Sequence, residues 1–221
     1  MGPTESKLVI AAHGSHSSKS DDCIRIFSEE AVTFGYQVLS FDFPKHGDRI
    51  NEPEPCMVQE CVKELKEILT YAKSIADKIY LFACSMGAYF SLLAYKDDEI
   101  EHALFLSPVT DMERIIHNIM AQFNVTEERF RKEKTIENPV ETLYWDYYRY
   151  IRENPVAYWE HPTSILYGEH DTMCEYEYVF GFAKRFHCDF TVQAGGEHWF
   201  HTPEELGDYR SWIREKLRCI K

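Results

Sequence analysis

Three residues of this chain, Ser85, Asp171 and His198, are of the types that together make a nucleophile, and each follows a short apolar run. A serine hydroxyl is a weak nucleophile at neutral pH. It needs a base to take its proton, and the base needs a carboxylate that fixes its tautomer and stabilises its cationic form. Ser85 stands in Ala83-Cys84-Ser85-Met86-Gly87, with the apolar run 79–82 before it and helix-compatible residues after it. A serine on a sharp strand-to-helix turn has a strained backbone and crowded neighbours, so the positions two away on either side must be small. The pentapeptide by itself suits a plain strand-to-helix connection with a serine N-cap equally well. Glu169 is a second carboxylate beside Asp171, though the Gly-x-x-Asp spacing favours Asp171. Cys84 neighbours Ser85 but should point away from the substrate side.

A second group of residues suggests different chemistry. His13 and His16 have the His-x-x-His spacing of metal ligands, and Asp42 and His46 form another cluster. With His198 added, these residues would suit a metallohydrolase. A third reading is a non-catalytic binding module that kept the fold, against which the complete Ser, Asp and His set argues.

The elements that must position these residues follow from periodicity. After a polar lead at 1–6, apolar runs without helical spacing at 7–12, 36–41, 79–82, 102–107, 163–167 and 189–193 read as buried strands. Between them, amphipathic patterns predict helices at about 21–34, 56–73, 85–94, 174–186 and 203–219, the last opened by Pro203. Alternating strands and helices give an α/β class with a parallel sheet, whose sites form at the carboxyl ends of the strands. His13, Asp42, Ser85, Asp171 and His198 all follow strands, so they should gather on that edge. Residues 108–162 break the rhythm with two or three amphipathic helices, dense aromatics and no convincing strand. This stretch reads as a lid at about 109–161 in a single domain spanning 1–221. His46 is expected to close a turn and His201 to cap the final helix.

The chain resembles the α/β-hydrolase superfamily over nearly its whole length. The resemblance rests on His13-Gly14-Ser15, Asp42-Phe43-Pro44-Lys45-His46-Gly47, Ala83-Cys84-Ser85-Met86-Gly87, Gly168-Glu169-His170-Asp171 and Gly196-Glu197-His198, in the chain order Ser, Asp, His. It looks most like small serine esterases and monoacylglycerol-lipase-like members with a helical lid. The resemblance implies a three-layer fold around about six mainly parallel strands, the usual first two strands being missing. It also implies Ser85 as nucleophile, His198 as base and Asp171 as its orienter, with the backbone N–H groups of Ser15 and Met86 as oxyanion hole. His13 would support that loop. The elbow has Ala83 where the family usually has glycine. The expected reaction is cleavage of a carboxylic ester or thioester with a small or medium apolar acyl group; acyl transfer and peptide cleavage stay open on the same residues. Substrate contacts are expected from His13, Tyr144, Trp145, Tyr148 and Trp199, with no cofactor and no metal.

Composition bounds the partners. A net charge of −13 over 221 residues disfavours nucleic acid, which needs a basic face. Seven scattered cysteines without a C-x-x-C pair suit free thiols in a reducing cytoplasm. No apolar run has the length of a membrane span. The expected partner is a small-molecule ester, and a homodimer is compatible with the sequence.

Overall fold

A computed structural model describes residues 6–220, so all but Ser6 of the polar lead lies outside the described residues. The elements are β1 (Lys7–Ala12), α1 (Asp22–Thr33), β2 (Gln37–Ser40), α2 (Val58–Ile75), β3 (Lys78–Cys84), α3 (Ser85–Tyr95), β4 (Ala103–Leu106), α4 (Met112–Gln122), α5 (Glu127–Glu133), β5 (Thr135–Ile136), β6 (Leu143–Tyr144), α6 (Trp145–Glu153), β7 (Thr163–Gly168), α7 (Tyr176–Arg185), β8 (Asp189–Gln193) and α8 (Pro203–Cys219). The six-stranded sheet has the order β2-β1-β3-β4-β7-β8, and every neighbouring pair is parallel.

Alternation along each strand builds the three layers. Val9, Ala11, Tyr80, Phe82 and Cys84 face α1 and α8, where Phe27 stacks on Phe82 with ring centres 4.0 Å apart. Leu8, Ile10, Ala12, Ile79, Leu81 and Ala83 face the opposite layer of α2 and α3. Burying each such large apolar side chain contributes roughly 2–3 kcal/mol. α3 is buried on all sides from Met86 to Tyr95, so only its first residue, Ser85, reaches the surface. That helix is fixed by the core and therefore holds its N-terminus still. Among the described residues, no helix is long and apolar enough to cross a membrane.

β4 and β7 pair directly from Ala103 opposite Thr163 to Leu106 opposite Leu166, and residues 107–162 leave and return between them. This excursion holds α4, α5 and α6. It also holds an antiparallel β5–β6 ribbon, where the sequence pattern suggested no strand. Two residues per strand are too few to show an alternation, and pairing with the partner strand is what defines them. Asp111 caps α4, its side chain accepting the Arg114 N–H at 2.9 Å. α8 is capped by Thr202 and not, as expected, by His201: Thr202 and Glu205 form a reciprocal capping box ahead of Pro203.

Candidate active site

Because all six strands run the same way, the loops after β1, β2, β3, β7 and β8 meet at one edge of the sheet. Ser85 sits there with φ at 45°, a left-handed conformation that costs a non-glycine residue of order 1–3 kcal/mol. Gly87 is what lets this turn fold: a Cβ there would stand 2.3 Å from the His13 carbonyl oxygen and 2.9 Å from that of Ala12. The His13 loop also lies close to the serine, since a Cβ on Gly14 would stand 3.1 Å from the Ser85 Cβ.

Ser85, His198 and Asp171 form one hydrogen-bonded chain. The Ser85 Oγ is 2.9 Å from His198 Nε2, and His198 Nδ1 is 2.7 Å from Asp171 Oδ2. The carboxylate accepts from Nδ1–H, so Nε2 carries the free lone pair that faces the serine. The other oxygen of Asp171 accepts the backbone N–H groups of Met173 at 2.9 Å and Cys174 at 2.8 Å. Glu169, the alternative acid, is exposed and turns away to accept the Gly195 N–H at 2.8 Å. Gly168 lets the two loops touch, because a Cβ there would stand 2.4 Å from the Glu197 carbonyl oxygen.

Two residues that hold the site went unread in the sequence. Cys174 gives a backbone N–H to Asp171, and its carbonyl accepts the Tyr167 hydroxyl at 2.8 Å. Glu205 is buried at the root of the histidine loop. It accepts the N–H groups of Glu197 at 2.9 Å, His201 at 3.2 Å and Thr202 at 2.9 Å, together with the Thr202 hydroxyl at 2.8 Å. Burial pushes its carboxyl up, but these donors outweigh burial and hold it at about 2. The Thr-x-x-Glu spacing at Thr202 was the signal that could have found it.

The metal-ligand reading does not survive the partners these residues take. His13 is fully buried, its Nδ1 donating to the Gly14 carbonyl at 2.7 Å and its Nε2 accepting the Phe43 N–H at 3.1 Å. Asp42 is engaged by the Lys19 N–H and ammonium and by the Asp48 N–H. His46 Nδ1 bonds the Pro44 carbonyl, tying down its turn as expected, and the exposed His16 lies 3.7 Å from Glu141. Among the described residues, the one His, Cys, Asp or Glu set close enough to share an ion is Asp171, Cys174 and His198, which is the acid–base pair itself with buried Cys174 beside it.

The five residues expected at the substrate fare differently. His13 joins the loops after β1 and β2 and cannot reach a substrate. Tyr148 is 1% exposed and packs against Phe130 and Trp145, its hydroxyl 2.9 Å from His117 Nε2, so it belongs to the interior of the excursion. Tyr144 and Trp145 are half-buried at the start of α6, and Trp145 meets Phe130 edge-on. Trp199, next to His198, is 72% exposed, while its neighbour Phe200 is buried and anchors the loop.

Burial lowers the His13 ring to about 4, and both of its nitrogens are committed in the neutral form. The unfolded chain therefore binds a proton that the folded chain refuses between pH 6.5 and 4. The stability contributed by the neutral ring is complete above pH 6.5 and is lost as the pH falls toward 4. Urea unfolding at pH 7 and 4.5 should show His13→Gln losing about 2 kcal/mol less than the parent over that interval. Equal losses in the two proteins would mean that His13 is not held neutral.

The fold and this arrangement define a class: the chain has the α/β-hydrolase fold. It is similar to Est1E from Butyrivibrio proteoclasticus, solved with ferulic acid bound, at a TM-score of 0.80 and 19% identity over 99% of this chain and 91% of that one. It is also similar to the Pyrococcus furiosus esterase Pf2001, at a TM-score of 0.71 and 20% identity over 98% and 84% of the two chains. Mouse alpha/beta hydrolase domain-containing protein 10 aligns at a TM-score of 0.77 and 14% identity over 97% and 90%. At these identities the likeness is one of fold. A curated relative, the uncharacterized protein YDL057W of Saccharomyces cerevisiae, is 28% identical over 74 residues, 34% of this chain and 23% of that protein. No family model matches the chain.

Proposed function

We propose that the protein is a serine hydrolase that cleaves a carboxylic ester or thioester through an acyl-enzyme. The observation that carries this reading is the unbroken Ser85–His198–Asp171 chain at 2.9 and 2.7 Å. In this mechanism Ser85 Oγ attacks the acyl carbonyl while His198 Nε2 takes its proton, and Asp171 stabilises the imidazolium that forms. His198 then gives the proton to the departing alcohol or thiol. Water, activated by the same nitrogen, releases the acid. The N–H groups of Met86, at the start of α3, and Ser15, after the Gly14 contact, receive the oxyanion, each worth roughly 3–4 kcal/mol in the transition state. The α3 dipole acts in the same direction.

The acyl group is small to medium and apolar or aromatic. The half-buried Tyr144 and Trp145 and the exposed Trp199 support this, and the excursion 107–162 would act as a lid bearing the first two. The ferulic acid held by Est1E is an aromatic acid of that size. A fluorophosphonate should label the protein at Ser85 alone, and p-nitrophenyl esters of increasing acyl length should give a peaked kcat/KM profile. No labelling would sink the hydrolase reading, and a flat profile would sink the apolar acyl site.

A further inference from the structure

Two thiols meet in the first turn of α2. Met57 is the N-cap of that helix, so Cys56 holds the position before the cap and Cys61 the fourth helical position. Side chains at these two places touch across a helix entry, ordinarily as an apolar staple. Here the two Sγ atoms stand 3.5 Å apart. His46, whose Nδ1 donates to the Pro44 carbonyl at 2.8 Å, lies on the same side of the helix entry and lowers the Cys56 thiol. Cys61 is fully buried, whereas Cys56 is partly open to solvent.

We propose that Cys56 and Cys61 form a peroxide-reactive dithiol, in which Cys56 is the attacking sulfur and Cys61 is the resolving sulfur. The Cys56 thiolate attacks one oxygen of hydrogen peroxide. The S–O bond forms as the O–O bond breaks, the sulfur is oxidised to a sulfenic acid, and the leaving hydroxide takes up the proton that the Cys56 thiol released and departs as water. The Cys61 sulfur then attacks the Cys56 sulfur. An S–S bond forms, the S–O bond breaks, and the hydroxide expelled takes the Cys61 proton as a second water.

The surroundings favour this order of events. The hydrogen bond from the Cys61 thiol lowers the Cys56 thiol below the usual range, burial opposes it, and His46 adds to the lowering. The N-terminus of α2 acts in the same direction. Glu141 is the charge on the excursion that opposes the thiolate. Cys61 is pushed up by Cys56 and by burial, so it keeps its proton until it resolves the sulfenic acid. Closing the bond needs an approach of about 1.5 Å, from 3.5 Å to the usual S–S length. Cys56 lies outside the helix proper, one residue before the N-cap Met57.

The reduced full chain, treated with one equivalent of hydrogen peroxide at pH 7 and digested with trypsin, tests this without any ester chemistry. Residues 50–63 form one peptide holding both cysteines. That peptide is expected to lose two hydrogen atoms and regain them with dithiothreitol. Cys61→Ser should leave a sulfenic acid that dimedone traps at Cys56, and Cys56→Ser should keep the peptide reduced. At pH 6, iodoacetamide should modify Cys56 about 10-fold faster than the exposed Cys219, and His46→Gln should erase most of that difference. A peptide 50–63 that stays reduced while Cys219 oxidises or Cys23 links to Cys84 would overturn the proposal. So would equal alkylation of Cys56 and Cys219 at pH 6.

Discussion

Ser85→Ala turns over a p-nitrophenyl ester roughly 10^5- to 10^6-fold more slowly than the parent if Ser85 is the nucleophile. The hydroxyl is the atom that becomes covalently bound, and its neighbours cannot replace it. Cys84 points into the layer under α1 and α8, away from His198. The substitution leaves the fold intact for three reasons. Alanine suffers the same left-handed strain that Ser85 bears at φ 45°. The hydroxyl's partner within 3 Å is His198, and Ser85 contributes little to the core. The variant should therefore keep the parent's melting temperature while losing fluorophosphonate labelling. Turnover within tenfold of the parent would show that the catalytic group lies elsewhere.

Asp171→Asn should cost about 10,000-fold in kcat, and the reason lies in the backbone around it. One oxygen of Asp171 is held by the N–H groups of Met173 and Cys174. An asparagine carbonyl must stay on those donors, which aims its NH2 group at His198. That NH2 donates to Nδ1 and forces the ring's proton onto Nε2, so the base faces Ser85 with a hydrogen where it needs a lone pair. Binding should change little, so the loss appears in kcat and not in KM. Glu169→Gln is the matched control. Its side chain bonds the Gly195 N–H, which a glutamine carbonyl also accepts, and kcat should stay within about twofold. If Glu169→Gln were the damaging change, the acid would have been misassigned.

Much of the candidate site's edge of the sheet is legible in the chain because the features that make it are local. The run at 79–82, the small flanks of Ser85 and the loops opening with His13 and Asp42 each span only a few consecutive residues. The reading weakened where a role depends on distant backbone. His13 reads as a substrate contact in sequence, but its ring is enclosed because the N–H it needs belongs to Phe43, 30 residues on. Tyr148 carries the same composition signal as Trp145, yet only Tyr148 turns into the centre of the excursion. The β5–β6 ribbon left no pattern, since two-residue strands exist only through their pairing. The Thr202–Glu205 cap was legible in Thr-Pro-Glu-Glu, and reading His201 as the cap missed it.

Local pattern alone specifies the alternation of strands and helices, the parallel class and the chain order of Ser85, Asp171 and His198. Periods of 2 and 3.6 residues and tight-turn sterics are written into each segment separately. Which of Asp171 and Glu169 meets His198 depends on the packed loops, and Asp171 is the one at 2.7 Å. Only the assembled fold commits the ring nitrogens of His13 and the carboxylate of Asp42 to partners within the protein. Both outcomes depend on loops that pack where Gly87 and Gly168 leave no room for a side chain. Close approach of backbones far apart in the chain is a property of the assembled edge, and no single segment encodes it.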